Sequence, residues 1–312
     1  MTSSTALRNA ATTLTLGPLL FNWTAERWRD FHFRIADEAP VSTVYVGEAV
    51  CSKRAPLIEP YYAEVAERLQ AAGKTVVFSS LSEVLSKIDR KLAEQICTAE
   101  DFLVEANDGS ALLYLKGRPH HIGPLMNVYN ERTVEFLVGN GAKNVCLPVE
   151  MPASAVAALC QATRDLDVTV EVQVFGRQSL ALSARCYHAR AHGRTKDSCR
   201  FVCEEDPDGL DLTTLDGRTF LTVNGIQTLS REYLNLLREV PALRAIGVSR
   251  FRLSPHTLDM VEVAKIFAGV VEGKLGVDEA AARLEAIKPA APFANGFYYG
   301  KPGHTWNGAS AV

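Results

Sequence analysis

The stretch VSTVYVGEAV (residues 41–50), followed by YYAEVAERLQAAGK (61–74) and TVVFSS (75–80), decides the predicted fold. The first and third segments are rich in β-branched residues, which is typical of buried strands. The middle segment is amphipathic at helical spacing and ends at Gly73. A strand, a helix of ten or more residues and another strand predict a βαβ unit with parallel strands.

The same alternation continues on both sides of this unit. Further strands are predicted at 14–23, 101–108, 111–117, 144–150, 168–176, 219–225 and 245–254. Helices are predicted at 25–38, 133–143, 153–165, 179–190, 229–240, 256–273 and 277–288. About eight such strands favour an α/β fold of the (β/α)8 TIM-barrel type. A doubly wound open sheet is the alternative, which the lack of GxGxxG after the first strand disfavours.

We expect residues 1–290 to form the barrel-like domain and the aromatic, Gly- and Pro-rich residues 291–312 to pack on it as a tail.

The chain has 312 residues, of which 47% are hydrophobic and 22% charged, and its net charge is −3. These values are those of an ordinary globular protein and predict no general nucleic-acid surface. The longest apolar runs fall short of the ~18–20 residues that a membrane helix needs. Without a signal-peptide pattern at its start, the protein is expected to be cytoplasmic, with reduced thiols.

The segment CYHARAHGRTKDSCRFVC, residues 186–203, carries three cysteines as Cys-x12-Cys-x3-Cys among several basic residues. Thiolates bind soft metals and iron–sulfur clusters, and nearby cations lower thiol pKa values and offset the negative charge of a cluster. Three thiols are one short of the usual four. Cys51 is a candidate for the fourth, because it follows a predicted strand and precedes Lys53 and Arg54, but the residues alone leave this open. The basic residues of the segment and its flank are Arg185, Arg190, Arg194, Lys196 and Arg200.

Two other interpretations of the cysteines stay open. Structural zinc is the first, since His188 and His192 would share one helical face and Cys3His sites exist. Three unconnected thiols is the second. The remaining cysteines, Cys97, Cys146 and Cys160, are expected in the core.

Several polar residues follow predicted strands and are candidates for the barrel mouth: Glu48, Glu150, Asn224 and Arg252. A carboxylate there would orient substrate or move protons, although a capped or paired group is an equal alternative. The adjacent His120 and His121 are expected in a loop or at the surface. Ser179 and Ser183 lack the GxSxG elbow and HExxH is absent, which disfavours serine hydrolases and the common zinc proteases.

The run RCYHARAHGRTKDSCRFVCEEDPDGL (185–210), with EVQVFGRQSLALSARCY (171–187), VYVGEAVCSKR (44–54) and NGFYYGKPG (295–303), resembles the U32 peptidase-like family. Within it the chain is most similar to the branch that acts in ubiquinone biosynthesis without oxygen. The resemblance implies a barrel-like fold and a [4Fe-4S] cluster held by Cys51, Cys186, Cys199 and Cys203. It also implies a heterodimer with a UbiU-like U32 protein. Apolar ubiquinone precursors would need a cavity or a lipid-carrier protein.

The chain departs from the usual U32 pattern at one point. Family members carry His-Gly and then Cys after the strand that precedes the cluster loop, whereas this chain has Phe175-Gly176 and Ser179. The change fits a first ligand that has moved to Cys51. The alternative functions are a U32-type RNA-modifying hydroxylase and a collagenase-like peptidase, for which no nucleophile is evident.

Overall fold

Eight parallel strands form a closed barrel in the computed structural model, which describes residues 12–308. Each strand pairs in parallel with the next, and the eighth strand closes the ring by pairing with both the seventh and the first. The predicted (β/α)8 fold is therefore confirmed. The barrel strands are β1 (Thr13–Leu16), β2 (Thr43–Val46), β3 (Thr75–Ser79), β4 (Leu103–Ala106), β5 (His120–Ile122), β6 (Ala142–Cys146), β7 (Thr169–Leu182) and β11 (Arg250–Leu253).

Helices connect the barrel strands and cover their outer face. Side-chain caps begin several of them; Ser86 and Asp89, for example, form a reciprocal capping box at the start of the fourth helix. In residues 12–308 no helix combines the length and apolarity required to cross a membrane. The helices are α1 (Ala25–Glu38), α2 (Ala55–Ile58), α3 (Tyr62–Ala71), α4 (Lys87–Thr98), α5 (Gly109–Leu115), α6 (Glu131–Gly139), α7 (Ala153–Ala162), α8 (Tyr187–Ala191), α9 (Val240–Ala245), α10 (Met260–Val271) and α11 (Val277–Ala286).

Strand β7 takes part in two kinds of strand pairing. Its first half is a barrel strand, and from Phe175 onward it pairs antiparallel with β10 (Gln227–Asn235). Gly176 has a φ of +107°, and a Cβ there would lie 2.7 Å from the Cβ of Ser254, so glycine is required at this bend. The antiparallel sheet continues from β10 to β9 (Thr219–Asn224) and β8 (Leu210–Thr213), and β10 also pairs with β12 (Phe293–Ala294).

Three predicted elements are wrong. Residues 111–115 of the predicted strand 111–117 lie in helix α5, because Asp108 caps the helix and Ala111 and Leu115 are buried four residues apart. Residues 179–190 begin as strand and are helical only in α8. Residues 229–240 begin as strand β10, since the hydrogen-bonding edge of β7 outside the barrel needs a partner.

The pair His120 and His121 is also placed differently from the prediction. Both residues lie in β5 and are almost completely buried, at 0% and 4% exposure. The side chain of His121 points into the barrel, where its Nδ1 lies 2.9 Å from the hydroxyl of Tyr45. A polar partner inside the barrel makes burial of this imidazole acceptable.

A buried ion cluster occupies the barrel interior. The guanidinium of Arg252 lies 2.6 Å from a carboxylate oxygen of Glu105 and 2.9 Å from one of Glu171. Burial alone would raise the pKa of Glu171. The charge of Arg252, together with the hydrogen bonds that Arg252 and Thr15 donate to this carboxylate, lowers the pKa to about 2. Both carboxylates are less than 2% exposed, so Arg252 pairs with two acidic groups that are almost completely buried.

The tail packs on the antiparallel sheet. Tyr233 donates its N–H to the carbonyl of Pro292, and the buried Asn295 side chain donates to the carboxylate of Glu239 at 3.0 Å. Residues 1–11 and 309–312 of the predicted two-part division lie outside the described residues.

Replacing Arg252 with Met should lower the free energy of unfolding by about 3–5 kcal/mol, because Glu105 and Glu171 would be left buried without a cation. Urea denaturation followed by far-UV circular dichroism measures this change. Arg218→Met is the matched control, since Arg218 is paired with Asp216 in solvent, and should leave the unfolding free energy almost unchanged. Equal, small effects of both substitutions would contradict the stabilising role of Arg252.

Candidate functional site

The four cysteines named from the sequence line one pocket of about 340 Å³. Cys51 lies in the loop after β2, at the carboxyl end of a barrel strand, and the other three belong to the segment between β7 and β8. The structure thus brings together residues that are 135 to 152 positions apart in the chain. Their role as metal ligands stays a prediction. The other lining residues are Lys53, Arg54, Ala189, Lys196, Phe201, Val202 and Gly225.

Glu48 fixes the loop that carries Cys51. One carboxylate oxygen accepts the backbone N–H groups of Val50 at 2.7 Å and of Cys51 at 2.9 Å. Glu48 is 3% exposed, and burial raises the pKa of its carboxyl group. Its side chain does not line the mouth pocket described below, so the alternative of a capping group holds for this residue.

Cys186 begins helix α8 and is held by two contacts. Its sulfur accepts the N–H of Ala189 at 3.4 Å, and its thiol donates to the carbonyl of Gly225 at 3.2 Å. Between Cys199 and Cys203 the chain turns through Arg200 and Phe201, whose φ values of +50° and +55° are rare for such side chains. Strained backbone of this kind clusters at functional sites.

A lysine joins the two cysteine-bearing loops. Lys53 donates from Nζ to the backbone carbonyls of Lys196 at 2.8 Å and of Asp197 at 3.1 Å. The loop of Cys51 is therefore tied to the loop that precedes Cys199 by the protein itself.

Arg54 places a buried cation beside the thiols. It is 2% exposed and donates to the side-chain oxygen of Asn224 at 2.6 Å and to the carbonyl of Leu20 at 3.3 Å. Gly225 leaves room for it, since a Cβ there would lie 2.5 Å from a guanidinium nitrogen. Burial raises the pKa values of Cys51, Cys186 and Cys203, whereas the charge of Arg54 lowers all three.

The spacing of the thiols differs from that of a mononuclear site. In the part of the chain that the structure describes, three or more ligand atoms lie within 4.8 Å of one another only in the group His188, His192 and Asp206. No three of the four sulfurs are that close. A tetrahedral zinc ion with Zn–S bonds of about 2.3 Å holds its sulfurs roughly 3.8 Å apart. The four thiols are therefore not arranged as a preformed tetrahedral zinc site, and both the zinc and the iron–sulfur interpretations of these cysteines stay predictions.

A second pocket, of about 560 Å³, lies at the barrel mouth. Of the candidates named from the sequence, Glu150, Arg252 and Ser179 line it, but Glu48 and Asn224 do not. It adjoins the cysteine pocket through the loop after β2, because Ala49 lines the mouth pocket and Cys51 lines the cysteine pocket.

Three further residues that line the mouth pocket were not predicted from the sequence: Glu105, Asn107 and Gln173. The signal for Glu105 and Gln173 was a polar residue inside an otherwise apolar predicted strand.

The remaining cysteines are buried away from the pocket, as predicted. Cys97 in α4, Cys146 in β6 and Cys160 in α7 are all less than 8% exposed. Burial raises the pKa of Cys97 to about 12 and that of Cys160 to about 11, which keeps both thiols protonated.

Comparison with solved structures gives distant likenesses. A phospho-2-dehydro-3-deoxyheptonate aldolase from Thermotoga maritima is 12% identical, with a TM-score of 0.42 over 91% of this chain and 72% of the other. A family GH18 chitinase from Cycas revoluta is 9% identical, with a TM-score of 0.34 over 88% of this chain and all of the other. With TM-scores below 0.5, these likenesses support no conclusion about activity.

The family comparison is more informative. The model of peptidase family U32 matches residues 24–308, which run from α1 through the barrel and the cysteine segment into the tail. The match covers more than half of the chain and includes all four pocket cysteines. The chain therefore belongs to peptidase family U32.

Proposed function

We propose that this chain is a [4Fe-4S] subunit of the UbiV type, which acts with a UbiU-like U32 partner in the oxygen-independent hydroxylation of ubiquinone precursors. The observation that carries the proposal is the convergence of Cys51, Cys186, Cys199 and Cys203 on one pocket beside a buried arginine. The pathway and the partner rest on the sequence resemblance. Delivery of the precursor by a lipid-carrier protein is part of the same proposal.

The donor set supports an iron–sulfur cluster. Four thiolates around one core carry a large negative charge, and the buried guanidinium of Arg54 offsets part of it. Lys53 and Lys196 line the same pocket and add positive charge at its edge. A cluster with four cysteine ligands supplies one-electron transfer rather than Lewis-acid chemistry, because no iron is left open to a substrate.

In this proposal the substrate ring binds in the mouth pocket, next to the cysteine pocket that would hold the cluster. Apolar residues such as Leu20 and Val149 share this pocket with the charged side chains of Glu105, Glu150 and Arg252. Binding pockets commonly combine apolar walls with a few polar groups that orient the ligand. In the proposal Glu150 orients a phenolic hydroxyl, since its carboxylate already accepts a hydrogen bond from the phenol of Tyr129.

Protein purified without oxygen should be brown and contain about four irons and four sulfides per chain. Cys51→Ala should lower the iron content strongly, because the fourth ligand is lost. Cys160→Ala is the matched control, since this thiol lies in α7 outside the pocket, and should retain the iron. Iron and sulfide analysis measures both, and a colourless wild type or an iron-replete Cys51→Ala protein would disprove the cluster.

Replacing Arg54 with Met should raise the pKa of Cys51 in the metal-free protein, because the cation that stabilises the thiolate is removed. The midpoint of the alkylation rate, followed by mass spectrometry, should therefore move to higher pH. Arg54→Lys should largely preserve the wild-type midpoint. Cys160 is an internal control, since its pKa is raised by burial alone. An unchanged profile for Cys51 would show that Arg54 does not tune this thiol.

A strain without this gene, grown without oxygen, should lose ubiquinone, as measured by liquid chromatography and mass spectrometry. Wild type and Cys160→Ala should restore ubiquinone, and Cys51→Ala should not. Normal ubiquinone in the deletion strain, together with loss of a hydroxylated RNA nucleoside, would replace the proposed function with an RNA-modifying one.

A further inference from the structure

We propose that His188, His192 and Asp206 form a second metal site, for a divalent transition-metal ion such as Zn²⁺ or Fe²⁺, separate from the four cysteines. The ligand atoms of the three residues lie within 4.8 Å of one another. Nε2 of His188 lies 3.0 Å and Nε2 of His192 3.8 Å from the same carboxylate oxygen of Asp206. The inference does not depend on the proposed function.

The tautomer of His188 leaves a free lone pair on Nε2, the ring nitrogen near this oxygen. Nδ1 of His188 lies 3.2 Å from the backbone carbonyl of Val223, which can only accept, so Nδ1 carries the proton. In the neutral ring Nε2 is then an acceptor. Metal-binding histidines use this arrangement, in which a carbonyl holds one ring nitrogen and the metal takes the other.

Two buried polar atoms at this place lack a partner. Nε2 of His188 and Oδ2 of Asp206 are both buried, and neither makes a hydrogen bond. His188 as a whole is 0% exposed, so bulk water cannot supply the missing partner of its Nε2. Two acceptors that face each other at 3.0 Å repel unless a positive species lies between them. A metal ion bound to both atoms satisfies both.

The second imidazole favours a metal over a simple ion pair. His192 lies four residues after His188, and the two rings are stacked with centroids 5.3 Å apart and an angle of 8° between their planes. This spacing places both rings on one helical face, as in metal-binding motifs with two histidines four residues apart. An ion pair between His188 and Asp206 would not need a second ring nitrogen facing the same oxygen.

The surroundings fix Asp206 and leave the site open on one side. The backbone carbonyl of Asp206 accepts from the side chain of Asn224 at 3.2 Å and from the N–H of Gly209 at 2.9 Å. The side chains of His192 and Asp206 are 29% and 25% exposed, which gives an ion access from solvent. Two imidazoles and one carboxylate suit zinc or non-haem iron, and three protein ligands leave coordination positions for water or substrate.

The test is Zn²⁺ binding to anaerobically purified full-length protein, measured by equilibrium dialysis and metal analysis. Wild type should bind one Zn²⁺ per chain. The Asp206→Asn and His192→Ala variants should bind this ion at least 10-fold more weakly than wild type does. His304→Ala is the control, since His304 is exposed and far from the group in sequence, and should bind like wild type. Unchanged iron and sulfide contents in all variants would show that the cysteine pocket is intact.

X-ray absorption at the zinc edge gives a second readout. The site predicts nitrogen and oxygen neighbours at about 2.0–2.2 Å, whereas zinc in the cysteine pocket would show sulfur at about 2.3 Å. A sulfur-only shell, or equal Zn²⁺ affinity in wild type and His192→Ala, would overturn the inference. A colourless protein that still binds Zn²⁺ through nitrogen and oxygen would refute the cluster and leave this site standing.

Discussion

The rest of the structure depends on the pairing of strand β7 with the barrel strands at one end and with β10 at the other. Up to Glu171 the strand is held between β6 and β11 in the barrel, its pairing with β11 continues to Phe175, and from Phe175 onward it pairs antiparallel with β10. The part of β7 that extends beyond the barrel would have unpaired backbone N–H and C=O groups, and pairing with β10 satisfies them. The chain between these strands therefore folds on the side of the barrel where functional loops gather. There the segment with three cysteines meets the loop that carries the first.

The barrel was predictable because its signal is regular. Parallel strands that are covered on both faces are continuous apolar runs, and the helices between them have a different period, so the alternation is visible in one sequence. The signal fails at β5, which has only three residues and two histidines. It also fails in residues 179–190 and 229–240, where the strand residues are a mixture of buried and more exposed positions with apolar residues at intervals that a helix would share. In these places tertiary pairing, rather than local pattern, decides the structure.

The candidate site was predictable only in part, for a similar reason. The spacing from Cys186 to Cys203 marks a group of thiols, but nothing in the local sequence connects it to Cys51, and the family resemblance supplied that expectation. Asp206 carries no motif of its own, and only the fold brings it to His188. Asn224 was expected at the barrel mouth but instead bonds to Arg54 on one side and to the backbone of Asp206 on the other. It links the cysteine pocket to the histidine group through one amide.

The contacts of Lys53 have a consequence for how a cofactor would enter this protein. Since its ammonium group already holds the loop around residue 196, the entropy of ordering these loops is lost when the chain folds. A site whose two loops are already joined would need little rearrangement to bind a cofactor, in contrast to small metal domains that fold only when the metal binds. Because both partners of these hydrogen bonds belong to the protein, the proposed cofactor would not be needed to hold the two loops together.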